Sequence, residues 1–226
     1  MLIRTLIADA FETKCRVISA DGSKECVVVD PGMGVARTLP EIIDASDRQV
    51  VAVLLTHGHL DHTYAAADVC SRYDVPCYIH PADREMLEDP MPWLGPEFGP
   101  QFEAALPRGW QWASPHAVQE LAAGAVLNMA GIHFRVEHTP GHTPGSVMYA
   151  FSHEGSKYCL VGDVLYAGSI GRTDMPGGDR AQTLASLRGV LEKDDDTVLL
   201  TGHGADTTVG AERRSNPFMV QAAQKP

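Results

Sequence analysis

The chain has 226 residues, 44% of them hydrophobic and 21% charged, which is enough for one sizeable core, so we expect a single domain over residues 1–226. Its formal net charge of −11 at pH 7 argues against nucleic acid as a partner, because phosphate binding needs clustered lysines and arginines. The sequence contains neither a run of about 18 apolar residues nor the pattern of a signal peptide. We therefore expect a cytoplasmic protein that acts on a small molecule and has no membrane contact.

The five cysteines are scattered along the chain and include no Cys-x-x-Cys pair. An odd number without close spacing favours buried thiols over a disulfide framework or a thiolate metal site. The five are Cys15, Cys26, Cys70, Cys77 and Cys159.

The first third of the chain alternates strand and helix patterns. Asp21-Gly22 separates two strand patterns and predicts a β-hairpin, whose second strand is apolar throughout and therefore central. Helix patterns are recognised by apolar residues that share one face, and Pro81 suits the first position of a helix. The predicted strands are 14–20, 25–30, 50–55 and 75–79, and the predicted helices lie at 39–43, 65–72 and 82–88.

Residues 89–115 have a different composition, rich in proline and holding all three tryptophans of the chain. We expect mostly irregular backbone here, near the mouth of the functional site. A loop of this length inside a compact domain is usually either functional or disordered, and its aromatic residues make disorder the poorer choice. It forms either a wall or lid beside the substrate or a satellite hydrophobic cluster.

The second half of the chain is again rich in strand patterns and repeats the strand-helix-strand order of the first half. The predicted strands are 125–129, 132–136, 146–151, 157–162 and 197–201, and one amphipathic helix buries Leu184, Leu187, Val190 and Leu191.

A dense cluster of candidate metal ligands follows the apolar run at residues 50–55. His57, His59, Asp61 and His62 lie within one short loop, and their nitrogen and oxygen atoms suit zinc, manganese and iron. Alternate side chains of such a loop can converge on one cation while the next pair reaches a second. A polar loop that is His-rich by chance is the alternative, and it is disfavoured because the whole chain has only ten histidines.

Three further candidate ligands lie at the ends of predicted strands in the second half. His142 lies in a Gly- and Pro-rich loop, Asp163 follows the strand at 157–162, and His203 follows the strand at 197–201. Side chains at several strand ends can meet in a crevice at the edge of a sheet. Four separate segments with the same ligand types therefore predict one metal centre.

The segment His57-Gly58-His59-Leu60-Asp61-His62 resembles the His-x-His-x-Asp-His motif of the metallo-β-lactamase fold superfamily. Residues 161–163, 168–174 and 216–218 are similar to short glyoxalase II-like hydrolases, and the resemblance runs across essentially the whole chain. It implies an α/β (α+β) fold, a four-layer αβ/βα sandwich of two mixed β-sheets flanked by helices. Because the chain ends soon after residue 218, we expect no C-terminal helical glutathione-binding domain.

The same resemblance implies a cofactor of two divalent metal ions, most simply Zn²⁺, with Fe or Mn as alternatives. It implies that His57, His59 and His142 hold one ion, that Asp61, His62 and His203 hold the other, and that Asp163 bridges both.

This ligand set leads to an expected reaction. Metal binding lowers the pKa of a water from about 15.7 to near 7, which supplies hydroxide at neutral pH. We expect hydrolysis of a thioester such as an S-2-hydroxyacyl thiol by attack of metal-bound hydroxide, with Asp61 and Asp163 as the catalytic carboxylates. No protein nucleophile is required. The alternative is a mononuclear iron persulfide dioxygenase, which resembles this family in the same motifs, and a non-catalytic metal-binding module is the third hypothesis.

Other polar residues receive supporting roles. Arg172 and Tyr166 are candidates for substrate binding, and Asp30, His138 and Asp174 are candidates for support of the ligands, because such partners fix the orientation of a ligating imidazole. Histidines without a partner at ligand spacing are expected on the surface or at helix caps. These are His80, His116, His133 and His153.

Overall fold

The strand Glu25–Val29 is apolar on both faces, and its side chains alternate between two hydrophobic cores. In the computed structural model, which describes residues 1–224, Cys26 and Val28 pack into a core on one side of the strand, and Val27 and Val29 pack into a core on the other. A strand that is buried on both faces lies in the middle of a layered structure.

Each half of the chain forms one six-stranded mixed sheet. The first sheet has the order β1-β2-β3-β4-β5-β6; its first three strands pair antiparallel, and β4, β5 and β6 continue in parallel from β3. The second has the order β12-β11-β10-β9-β8-β7, in which β10 and β11 run parallel. The first-sheet strands are Leu2–Ile7 (β1), Lys14–Ser19 (β2), Glu25–Val29 (β3), Gln49–Leu54 (β4), Cys77–Ile79 (β5) and Val118–Glu120 (β6). The second-sheet strands are Val126–Met129 (β7), Ile132–His138 (β8), Val147–His153 (β9), Ser156–Gly162 (β10), Val198–Thr201 (β11) and Thr207–Thr208 (β12).

Three cores separate four layers, which confirms the predicted four-layer sandwich. One core packs the first sheet against helices α1 and α3, one fills the space between the sheets, and one packs the second sheet against α5 and α7. No helix within residues 1–224 is long and apolar enough to cross a membrane. The helices are Val35–Ser46 (α1), Leu60–Thr63 (α2), Ala66–Tyr73 (α3), Gly95–Ala105 (α4), Arg180–Leu191 (α5), Val209–Ser215 (α6) and Pro217–Ala223 (α7), with 3-10 helices at Pro81–Leu87 and Met91–Leu94.

The expectation of mostly irregular backbone over residues 89–115 is wrong. Met91–Leu94 and α4 are helical, although α4 contains Pro100. Its buried Phe102 packs with Leu60 and Leu94 in a small cluster apart from the three main cores. Tertiary burial therefore stabilises a helix that local propensity disfavours.

Candidate metal centre and substrate cavity

The turn after β4 places four candidate ligands at one end of the first sheet. His57 follows the strand, His59 lies at the N-cap of α2, and α2 carries Asp61 and His62. The ligand-bearing turn after β11 approaches them closely. A Cβ on Gly202 would lie 2.3 Å from Asp163 Oδ1, so a larger residue before His203 would displace that carboxylate.

The seven candidate ligands meet at one place. His59 Nδ1 lies 2.8 Å from His142 Nε2, and His62 Nε2 lies 3.1 Å from His203 Nε2. Asp163 Oδ1 is 3.3 Å from His62 Nε2. Three overlapping groups each have ligand atoms within 4.8 Å of one another: His57, His59 and His142; His57, His62 and Asp163; and Asp61, His62 and His203.

The outer ring nitrogens of three histidines face hydrogen-bond acceptors. His142 Nδ1 lies 2.7 Å from the Arg172 carbonyl, His203 Nδ1 lies 2.9 Å from the Phe11 carbonyl, and His62 Nδ1 lies 3.1 Å from Asp30 Oδ2. A neutral imidazole that donates through Nδ1 has its lone pair on Nε2. The three Nε2 lone pairs therefore point into the centre, which is the arrangement that a cation needs.

Unpartnered atoms at the centre also fit a metal. His57 Nε2 and Asp163 Oδ1 are buried and have no hydrogen-bond partner among the described residues. Such groups are costly to bury unless something binds them. A divalent cation bound by nitrogen and carboxylate ligands satisfies both atoms at once.

Burial and the neighbouring charges shift the pKa values of these groups in opposite directions. Burial lowers the pKa of His59 to about 3 and that of His57 well below its ordinary value, so both rings are neutral at pH 7. Burial opposes the charge on His62 as well, but the carboxylates of Asp61 and Asp163 outweigh it and raise its pKa. The space between these two carboxylates thus favours a positive charge, and a metal ion can replace the proton there.

Asp30 contacts the ligand loop through both oxygens of its carboxylate. It is buried at the end of β3 with a left-handed φ of 49°, a conformation that Asp and Asn tolerate. Its Oδ1 accepts from the Thr56 backbone N at 2.8 Å, and its Oδ2 accepts from Thr56 Oγ1 at 2.7 Å and faces His62 Nδ1. The one carboxylate therefore orients both the backbone and a ring of the loop.

Asp83 is a supporting residue that the sequence patterns did not reveal. Its buried carboxylate accepts from the backbone N of Gly58 at 2.9 Å, from the backbone N of Gly145 at 2.6 Å and from Thr143 Oγ1 at 2.6 Å. It thereby joins the His57–His59 turn to the His142 loop. An aspartate in the first turn of a predicted helix carries no sequence signal for this role.

The proposed substrate residues lie at the centre and at its rim. Tyr166 donates a hydrogen bond to Asp163, so its hydroxyl is already engaged. Arg172 lies at the rim and pairs with Asp174 at 2.6 Å and with Glu97 of α4 at 2.8 Å. Asp174 therefore contacts Arg172 rather than a candidate ligand, and Arg172 supports His142 through its carbonyl.

His138 lies outside the centre. Its Nε2 contacts the Pro144 carbonyl at 2.8 Å, and its ring stacks on that of His80 at 4.0 Å. It therefore acts on the backbone of the His142 loop and not on a ligand ring. His80 caps the 3-10 helix at Pro81–Leu87, as expected. The remaining three histidines form contacts with Asp74 (His116), Asn128 (His133) and Asp21 (His153).

A cavity of about 250 Å³ opens from the metal centre. His59, Asp61, His142, Asp163 and His203 line its floor. The walls are mostly apolar and are formed by Phe11 of the β1–β2 loop, by Leu94, Phe98 and Phe102 of the segment around α4, and by Met175. Residues 89–115 thus contribute both a cavity wall and a satellite cluster.

Comparison with known proteins identifies related sequences across this whole architecture. The family model of the metallo-beta-lactamase superfamily matches residues 12–203. A relative named hydroxyacylglutathione hydrolase GloC, from Haemophilus influenzae, is 38% identical over 221 residues, covering 97% of this chain and 98% of that protein.

Two solved structures support the same relationship. The BLEG-1 B3 metallo-beta-lactamase superposes with a TM-score of 0.81 at 33% identity, covering 96% of this chain and 99% of the other. The protein TTHA1623, solved in a di-iron-bound form, superposes with a TM-score of 0.76 at 31% identity, covering 96% of this chain and 100% of the other.

Proposed function

We propose that this chain, which belongs to the metallo-beta-lactamase superfamily, is a binuclear metal-dependent thioester hydrolase acting on an S-2-hydroxyacyl thiol or a related thioester. The observation that carries this proposal is that two donor groups lie side by side, His57, His59 and His142 in one and Asp61, His62 and His203 in the other. A third group, His57, His62 and Asp163, overlaps with both. The likeness to a relative named hydroxyacylglutathione hydrolase supports a thioester as the substrate class.

In this proposal, His57, His59 and His142 would hold one divalent cation, Asp61, His62 and His203 would hold the other, and Asp163 would contribute to both. When bound, the two cations supply hydroxide at neutral pH and polarise the substrate carbonyl. Zn²⁺ suits the nitrogen and oxygen donors, and iron is an alternative because a related protein is solved in a di-iron-bound form.

The side chains and carbonyls around the donors fix the orientation of the ligand side chains. Asp30, Phe11 and Arg172 accept the outer protons of three histidines and fix their lone pairs inward. Tyr166 holds one oxygen of Asp163, and the apolar walls limit water at the floor. Hydrolysis forms a C–O bond from water to the acyl carbon and breaks the C–S bond, and the leaving sulfur takes up a proton.

We further propose that the protein acts in a reducing compartment, the cytoplasm. All five cysteines are buried and free, as the sequence predicted. Burial raises the pKa of Cys159 to about 12, which keeps that thiol protonated and unreactive.

The test measures metal content and thioesterase activity on the same sample. We expect about two divalent metal ions per chain and hydrolysis of S-lactoylglutathione or a simpler thioester. Asp163→Asn removes a charged ligand and is expected to lower kcat/KM by about 100-fold or more. Asp194→Asn, a change in an exposed ion pair with Lys157, is the control and keeps full activity.

The alternative chemistry gives a different result in the same assay. One iron per chain with oxygen consumption on a thiol persulfide, and no thioester hydrolysis, would reject the hydrolase in favour of a dioxygenase. Full thioesterase activity in Asp163→Asn would reject the proposed site. Absence of turnover with thioesters, a β-lactam and a phosphoester would leave a non-catalytic metal-binding protein.

A further inference from the structure

The walls of the cavity are mostly apolar, whereas a charged thiol carrier needs polar or charged contacts. Five apolar side chains form them, Phe11, Leu94, Phe98, Phe102 and Met175. Phe11 and Phe102 stack with ring centroids 4.0 Å apart and join the β1–β2 loop to α4. Part of the substrate must therefore lie against an aromatic surface, where apolar groups gain and charged groups lose free energy.

The one arginine among the described lining residues is already neutralised. Arg172 pairs with Glu97 at 2.8 Å and with Asp174 at 2.6 Å, and its guanidinium carbon lies 4.6 Å from the centre of the Phe98 ring. One positive charge faces two negative charges, so Arg172 offers little net positive charge to an incoming carboxylate.

The size of the cavity also favours a small apolar group over a large charged thiol carrier. Its volume of about 250 Å³ is below the about 300–1,000 Å³ of pockets that enclose a drug-sized ligand. An aryl or branched alkyl group fits this space beside the reacting carbonyl. The peptide part of a glutathione thioester must instead extend past the acidic rim.

We infer that the preferred substrate is a thioester of an apolar acyl group on an uncharged thiol carrier, and that Phe98 together with the Arg172–Glu97 pair determines this preference. The inference rests on the proposed thioester hydrolysis and names the substrate class for the same site. Phe98 forms the contact surface, and Glu97 keeps Arg172 from attracting carboxylates.

The test measures the metal-loaded protein with four thioesters, in which each of two acyl groups is combined with each of two thiols. The four probes are phenylacetyl and lactoyl thioesters of N-acetylcysteamine and of glutathione. We expect the highest kcat/KM for phenylacetyl-N-acetylcysteamine, at least about tenfold above S-lactoylglutathione, the size of discrimination that apolar pockets provide. A higher kcat/KM for S-lactoylglutathione would overturn the inference while leaving the hydrolase proposal intact.

Two variants test the named residues. Phe98→Ala is expected to lower kcat/KM for the phenylacetyl thioesters by about tenfold and to leave the lactoyl thioesters within about twofold. Its matched control is Phe218→Ala, which removes a ring that also packs beneath an arginine, Arg180, but lies outside the cavity lining. An equal loss on both acyl groups would contradict a role of Phe98 in selection.

Glu97→Gln frees Arg172 from one of its two carboxylates. We expect kcat/KM for both glutathione thioesters to rise by about two- to fivefold, with no change for the N-acetylcysteamine thioesters. No rise for the glutathione thioesters would contradict the role of the rim charges.

A binding measurement separates this inference from the proposed function. The thioethers S-benzyl-N-acetylcysteamine and S-methylglutathione cannot be hydrolysed, and their affinities are measured by titration calorimetry. Tighter binding of the benzyl compound, weakened in Phe98→Ala, supports the apolar preference even if no thioester is hydrolysed, in which case only the hydrolase proposal fails. Equal or weaker binding of the benzyl compound overturns the preference.

Discussion

At the scale of single residues, the candidate centre depends on which nitrogen of each imidazole carries the proton. His62 illustrates this, because its Nδ1 faces Asp30 and its Nε2 faces Asp61, Asp163 and His203. If Nδ1 lost its acceptor, the proton could move to Nε2 and block metal binding there. A buried carboxylate that binds no metal therefore decides whether a ligand is available.

Asp30→Asn tests this dependence. Asn tolerates the left-handed backbone of Asp30, but its amide can present an NH₂ group where His62 Nδ1 or Thr56 needs an acceptor. We expect the affinity for the metal at Asp61, His62 and His203 to fall by about 10–100-fold, measured by competition with a chromophoric chelator. Asp47→Asn is the matched control, because Asp47 is also left-handed, with φ of 51°, but is exposed. Unchanged affinity in Asp30→Asn would contradict the role of Asp30.

At the scale of elements, α4 is the helix that shapes the cavity. It begins with Gly95 and Pro96 and contains Pro100, so its residues favour helix formation weakly. The burial of Phe102 offsets this weak helix propensity, because its side chain packs against Leu60 and Leu94 and stacks on Phe11. The helix thus depends on tertiary contacts with the segment that carries the ligands.

Phe102→Ala is expected to loosen this helix. Truncation of a buried phenylalanine costs about 3–5 kcal/mol, and here the loss falls on α4 rather than on the three main cores. Hydrogen exchange followed by mass spectrometry should show faster exchange over residues 91–105. Phe98→Ala on the same helix is the control, because Phe98 is only half-buried, and it should change exchange much less. Unchanged exchange in Phe102→Ala would show that the helix is stable without the aromatic stack.

At the scale of the whole molecule, the candidate centre joins the two sheets. His57, His59, Asp61 and His62 follow a strand of the first sheet, whereas His142, Asp163 and His203 follow strands of the second. Each of the three donor groups contains ligands from both halves of the chain. A metal bound here therefore links halves of the chain that are far apart in sequence, and it stabilises their packing.

Removal of metal tests this coupling. At a metal concentration of about 1,000 times Kd, binding to the folded state alone contributes about 4 kcal/mol of stability. For a chain of this length we expect chelation to lower Tm by about 10 °C, measured by calorimetry, and stoichiometric Zn²⁺ to restore it. The double variant His142→Ala/His203→Ala should show no such response to Zn²⁺. An equal Tm with and without metal in the native chain would contradict a centre that joins the sheets.

Much of the architecture could be predicted from local patterns. The alternation of buried side chains along β3 and the helical spacing of Leu184, Leu187 and Val190 reflect burial on faces that repeat every two or about 3.6 residues. The edge strands β1, β6 and β12 and the short helices α2, α6 and α7 were not predicted. Strands β1 and β12 are partly exposed, so their hydrophobic pattern is weaker.

The supporting residues could be predicted only in part. Asp30 lies at the end of a strongly apolar strand, and this position pointed to the crevice. Asp83 has no such neighbour in sequence, and its role exists only because Gly58, Thr143 and Gly145 approach it from two separate loops. Backbone donors leave no signature in the residue types that supply them.

The sequence by itself indicated the donor atoms of the candidate centre, because histidine and aspartate side chains placed at strand ends have few uses other than binding a cation or a proton. Hydrophobic periodicity indicated most of the strands and helices, and the resemblance to the metallo-β-lactamase fold implied their arrangement in four layers. Only the tertiary structure decided the shape and charge of the cavity above the centre. Phe11 and Phe102 are far apart in sequence, and Arg172 meets Glu97 only across the mouth of the cavity. Contacts of this kind depend on how separate elements pack, which local sequence patterns do not encode.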